Sequence, residues 1–168
     1  MFEIGEHIVY GTSGICRVEE ICPSPHDKAD ERLFYLLVPV HNPMSATIYT
    51  PVDNDRVPMR RLMSPQEIEA LILAIPEIGE LEVPQEKQRR ELYRSTVASL
   101  CPRGYVCVMK TVEGRRVSLG AAHKHFPVSD MEYGRLARQM LYSELSHVLG
   151  VPMEDVEAYI AARLPRAE

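Results

Sequence analysis

No stretch of the 168-residue chain approaches the run of about 20 apolar residues that a membrane-spanning helix needs. The longest apolar segments, residues 33–40 and 71–75, have the length of a strand or of part of a helix. The opening MFEIGEHIVYG has neither the basic start nor the apolar core of a secretory signal. A cytoplasmic protein with no membrane association is expected. Catalytic signatures are also missing, with no G-x-S-x-G and no H-E-x-x-H. Gly11-Thr-Ser-Gly14 is not followed by the Lys-Ser/Thr of a phosphate loop and reads as a tight turn between strands. Cysteines are few: Cys16, Cys22, Cys101 and Cys107. The C-x5-C pair Cys101/Cys107 and the alternating His123-Lys-His125 do not have the ligand spacing of a structural zinc site. Free thiols, no metal, no cofactor and no enzymatic activity are the expectation.

What is present is an ordinary globular balance, 45% apolar and 26% charged, enough for one domain or two small ones. The net charge of −5 argues against a nucleic-acid partner until its distribution is read. Residues 1–80 hold 6 Lys/Arg against 13 Asp/Glu, whereas residues 81–168 hold 13 against 11. Between residues 87 and 124 lie Lys87, Arg89, Arg90, Arg94, Arg103, Lys110, Arg115, Arg116 and Lys124, opposed only by Glu91 and Glu113. Such asymmetry confines any anionic partner to the second half.

The first 62 residues read as strands and turns. Residues 5–10 and 15–21 form a hairpin across the Gly-rich turn, and residues 22–31, with two prolines and several charges, form an exposed loop. Residues 33–40 have the apolar continuity of a strand buried on both faces. Asn42-Pro43 turns the chain, residues 46–52 give a strand whose Pro51 belongs at a sheet edge or end, and residues 56–62 give a last strand. Five short strands in this length suggest a small, bent barrel.

At Met63 the period changes. Ser64-Pro65-Gln66-Glu67 is a capping box with proline at N1, opening a helix that buries Ile68, Leu71, Ile72 and Ile75 and stops at Pro76. Residues 77–84 are an acidic linker and the expected domain boundary. A second helix runs from about Pro84 to Leu100, with Leu92, Val97 and Leu100 inward and its basic residues outward. Residues 104–112 fit a strand or a helix, and their neighbours favour a helix. Ser129-Asp-Met-Glu132 is a second capping box, followed by apolar residues at helical spacing to Gly150, and Pro152 starts a final helix.

Several of these residues together resemble the CarD/CdnL family of bacterial RNA-polymerase-binding regulators. The match is sharpest at Phe2-x-Ile4-Gly5-Glu6-x-Ile8-Val9-Tyr10-Gly11, then Gly14-x-Cys16-x-Val18, Tyr35-Leu-Leu and Thr47-Ile-Tyr-Thr-Pro51. It extends through residues 90–100 and 145–150. The resemblance implies a Tudor-like N-terminal barrel, of the type also found in the transcription-repair coupling factor, that docks on a lobe of the polymerase β subunit. It implies a helical domain near upstream promoter DNA that helps stabilise the open complex. Family members place a tryptophan wedge at the start of the DNA-facing helix, and this chain has no tryptophan and no aromatic residue in 81–88. It also carries Tyr49 where members often have arginine.

The expectation is therefore an α+β protein: a small Tudor/SH3-like β-barrel at residues 1–62, a helix and acidic linker at 63–83, and an all-helical, partly basic domain at 84–168. Thr47, Ile48, Tyr49, Thr50 and Pro51 are the polymerase-docking candidates, because an edge strand offers main-chain hydrogen bonds and alternate side chains; the plainer reading makes Tyr49 a half-exposed strand residue. Lys87, Arg89, Arg90, Arg94, Lys110, Arg115, Arg116 and Lys124 are the DNA candidates, binding phosphates weakly and without sequence preference, against the reading of a merely solvated face. Two rivals remain: a protein-only adaptor on polymerase, and an RNA- or ribosome-associated small barrel, which the acidic N-terminal half disfavours.

Overall fold

The computed structural model of the chain describes residues 1–25, 29–41, 46–82 and 85–164. The turn expected at Asn42-Pro43 and the helix start expected at Pro84 lie outside the described residues. The chain divides into two compact units, Met1–Leu62 and Met63–Glu168. The first is an antiparallel sheet and the second is helical, so the fold is α+β.

In the first unit β1 (His7–Tyr10), β2 (Gly14–Pro23), β3 (Leu33–Pro39), β4 (Ile48–Pro51) and β5 (Met59–Arg61) pair in the order β4-β3-β2-β1-β5. β2 is long enough to pair with both β1 and β3, and a bulge between Val18 and Glu20 bends it. Its last residues, Cys22 and Pro23, are strand, so the exposed loop starts later than the sequence indicates. Directly paired residues share a face, and the register Ile8↔Cys16, Val18↔Leu37 and Leu37↔Ile48 collects the core on one side. Ile8, Cys16, Val18, Tyr35 and Leu37 are fully buried there, with Phe2, Tyr10 and Met59 packed against them. The Phe2 amide donates to the Tyr35 hydroxyl at 2.8 Å, pinning the N-terminus over the core.

The hairpin turn depends on glycine. Gly11 has φ +46° and a Cβ there would lie 2.7 Å from Val57 Cγ1, while its amide donates to the Pro58 carbonyl at 3.0 Å. The expected barrel is not closed. Among the described residues, β4 pairs only with β3 and β5 only with β1, leaving both as edges. Two prolines explain this in part: Pro51 ends β4 and Pro58 precedes β5, and neither has an amide to donate across the gap. Asn54 closes the intervening turn on itself, its side chain bonding Val57 O at 2.7 Å and accepting from Arg56 N at 3.0 Å.

The second unit holds α1 (Pro65–Ala74), α2 (Glu86–Ala98), α3 (Pro102–Ala121), α4 (Val128–Leu149) and α5 (Val156–Arg163). Helices α2, α3 and α4 pack on one another, and α1 and α5 pack against α4. The Ser64 capping box is formed, with Glu67 N donating to Ser64 Oγ and Ser64 N to the Glu67 carboxylate. Residues 104–112 are helix, within α3, whose first position is Pro102. α4 ends at Gly150 in the left-handed region, φ +66°.

Ser129 does not cap α4: the helix begins at Val128 after Pro127, and no side chain caps it. Asp130, in that first turn, is instead turned inward and fully buried. Nor is the acidic stretch after α1 a plain linker. Ile78 is buried, Leu81 N donates to Thr111 Oγ1 at 2.8 Å, and Lys110 Nζ donates to the Ile75 and Ile78 carbonyls at 2.7 and 2.6 Å. Cys107 Sγ reaches Gly79 O at 3.0 Å. The segment is strapped along α3 through its backbone, by the carbonyls of Ile75, Ile78 and Gly79 and the amide of Leu81.

Candidate functional site

A row of strand residues alternates between faces, and this divides the docking candidates. Tyr49 is 39% exposed and Thr47 is exposed, whereas Thr50 is 2% exposed and Ile48 packs against the sheet core. Thr50 pairs with Tyr35 and Tyr49 with Leu36, so β4 is anchored to β3 through its inward residues and presents Tyr49 outward. Pro51, half-buried, ends the strand. Since β4 is an edge, the strand offers a backbone rim and one large aromatic side chain with a polar tip. Recognition by strand addition needs that combination.

The cationic candidates divide more sharply. Arg89 is 3% exposed, and its Nε donates to Asp130 Oδ1 at 2.9 Å. Arg115 Nε donates to the other oxygen of the same carboxylate at 2.9 Å. One buried aspartate thus binds α2 and α3 to α4. Tyr93, one turn after Arg89, is buried in the same cluster; burial, and then the Asp130 charge, push its hydroxyl pKa up. The inward face of α2 is therefore Arg89, Tyr93 and Val97, with Leu92 only half-buried. Lys110 is spent on the carbonyls of the strapped segment.

Arg94 and Arg116 are exposed but carry i,i+3 ion pairs with Glu91 and Glu113, each at 2.6 Å. The Arg116 hydrogen bonds hold the Glu113 carboxyl below the usual range. Lys87, Arg90 and Lys124 are exposed and have no ion pair among the described residues. Lys87, Arg90 and Arg94 share the outer face of α2. Two further arginines lie beyond the basic window read from the sequence: Arg135 and Arg138 on α4, masked there by the neighbouring acids Asp130 and Glu132. Continuing the count of cations at helical spacing past Lys124 finds them.

Among the described residues no group of three or more His, Cys, Asp or Glu is arranged to hold a metal ion, and no helix is long and apolar enough to cross a membrane. Burial raises the pKa of Cys16 to about 11, which keeps it a neutral thiol.

The first unit is thus a five-stranded antiparallel module whose accessible feature is a strand edge, the form of a protein-docking domain. Residues 2–63 match the CarD-like/TRCF RID domain, and the chain carries in this unit a CarD-like RNA polymerase-interacting domain. The match ends one residue before Ser64, which caps α1. No curated protein matches the chain.

Proposed function

We propose that the chain is a non-enzymatic, cytoplasmic bacterial transcription regulator. It binds the RNA polymerase β subunit through the β4 edge of a Tudor-like module, and its helical unit contacts upstream promoter DNA weakly and without sequence preference. The observation that carries the first part is an exposed strand edge bearing Tyr49 inside a domain matched as polymerase-interacting. The DNA contact rests on the outer face of α2, where Lys87 and Arg90 have no carboxylate partner among the described residues, with Arg94, Arg116 and Lys124 beside or beyond it. Arg89, Lys110 and Arg115 hold the helices together and are left out of that surface. Anchoring on polymerase raises the effective DNA concentration, so a few phosphate contacts suffice.

The test is binding of the full chain to the purified β-subunit lobe, beside Tyr49→Glu. The wild type binds and the variant does not; a wild type that fails to bind removes the reading. The internal use of three expected cations favours a second reading, a protein-only adaptor on polymerase. Titration of labelled duplex at two salt concentrations separates them, since an adaptor shows no salt-sensitive binding.

A further inference from the structure

The α3–α4–α5 face of the helical unit contains an open groove of about 720 Å³, inside the roughly 300–1,000 Å³ range of ligand clefts. Its formation is local. Gly134 of α4 faces Val112 of α3, and a Cβ at that position would lie 2.8 Å from Val112 Cγ1, so the glycine lets the two helices close to form the floor. The floor is apolar, with Met109 and Val112 from α3, Met131 from α4, and Phe126 from the turn before it. Met131 is 56% exposed, a large apolar side chain left facing water. Methionine adapts its shape to varied apolar partners.

The rim carries three arginines and two glutamates. Arg116 and Arg138 are each held by an exposed carboxylate, Glu113 and Glu157, and Arg138 also lies 4.8 Å from the centroid of the Tyr142 ring. Arg135, on the same lip, has no ion pair among the described residues. Exposed pairs of this kind contribute little and exchange partners readily. An incoming carboxylate can take over a guanidinium from Glu113 or Glu157, and Arg135 is already available.

We propose that this groove is a docking site for an acidic amphipathic helix of a partner protein. Such a helix lays its apolar stripe on the methionine floor and its carboxylates on the arginine rim. A nucleic-acid duplex fits worse, because it has no apolar stripe to cover the methionine floor and its phosphates would find no donor there. A basic helix would leave Arg135 facing its own sign. The proposal does not rest on the polymerase contact at β4.

The test uses the full chain and a fluorescein-labelled synthetic peptide of about 18 residues, five helical turns. It carries leucine at i, i+3, i+4 and i+7 and glutamate elsewhere, and binding is read by anisotropy. Binding is expected to saturate, to weaken by roughly tenfold or more in Arg135→Glu and in Met131→Glu, and to be unchanged in Lys87→Glu. The same peptide with lysine for glutamate does not bind, and unlabelled duplex DNA does not displace the probe. Both substituted side chains are exposed, and circular-dichroism melts confirm that the variants fold. The proposal is overturned if the wild type does not bind the acidic peptide, if the variants bind it equally, if the lysine peptide binds as well, or if duplex competes it away.

Discussion

Asp130 shows what a single residue decides in this chain. Its carboxylate is fully buried between Arg89, whose side chain is 4% exposed, and Arg115, which is 28% exposed. Removing it strands a buried guanidinium, so Asp130→Ala is expected to cost about 3–5 kcal/mol. Arg89→Ala is expected to cost less, because Arg115 still neutralises the aspartate. Urea unfolding at pH 7 checks the order, and a smaller loss for Asp130→Ala than for Arg89→Ala would contradict it. Nothing in the local sequence reveals this. Arg89 and Asp130 are 41 residues apart, and each reads as a surface charge on its own helix. Cys16 sets an alkaline limit by the same logic of burial. Its pKa rises from 9.0 to about 11 in the fold, so the unfolded chain releases that proton first. The contribution is fully present below pH 9 and is lost as pH rises towards 11, on the order of 2 kcal/mol. Unfolding midpoints taken from pH 8 to 11 should fall, and less steeply in Cys16→Val.

At the level of elements, two segments with the same S-x-x-E spelling have different fates. Ser64 caps α1 in full, and Ser64→Ala is expected to cost about 1 kcal/mol. Ser129 caps nothing, and Ser129→Ala is expected to change stability by less than about 0.5 kcal/mol. Equal losses in chemical denaturation would refute the distinction. The first box is legible because Pro65 fixes the start and nothing competes for Glu67. The second is not, because Arg89 and Arg115 claim Asp130 and α4 starts at Val128, before Ser129. The β4 candidates were legible as a strand from Thr47-Ile-Tyr-Thr-Pro, but their division into Tyr49 outside and Thr50 inside depends on the register with β3. The open sheet was not legible, since strand count does not say whether the last edge meets the first.

On the scale of the whole molecule, the succession of strands and then helices follows from the change of hydrophobic period at Met63, and the two compact units divide there. Counting charges cannot tell a solvated cation from one that, like Arg89 or Arg115, ties two helices together. This has a measurable form. Log binding constant against log salt for duplex DNA should have a shallow slope, and Lys87→Ala or Arg90→Ala should each reduce it by about 1. Arg135→Ala should leave it unchanged.

The segment strapped along α3 also decides where the gene can be cut. A fragment beginning at residue 84 discards the Ser64 cap, the buried Ile68, Leu71, Ile72 and Ile78, and the carbonyls that hold Lys110. It leaves a lysine amine on α3 without its acceptors and strips α4 of a packing neighbour. A fragment from 63 to 168 keeps all of them and is expected to melt cooperatively, well above the 84–168 piece, in a thermal scan. Acidity in this stretch suggests a tether to be trimmed; its backbone behaves as the missing edge of the helical core, and dissection experiments that trim it would measure damage rather than function.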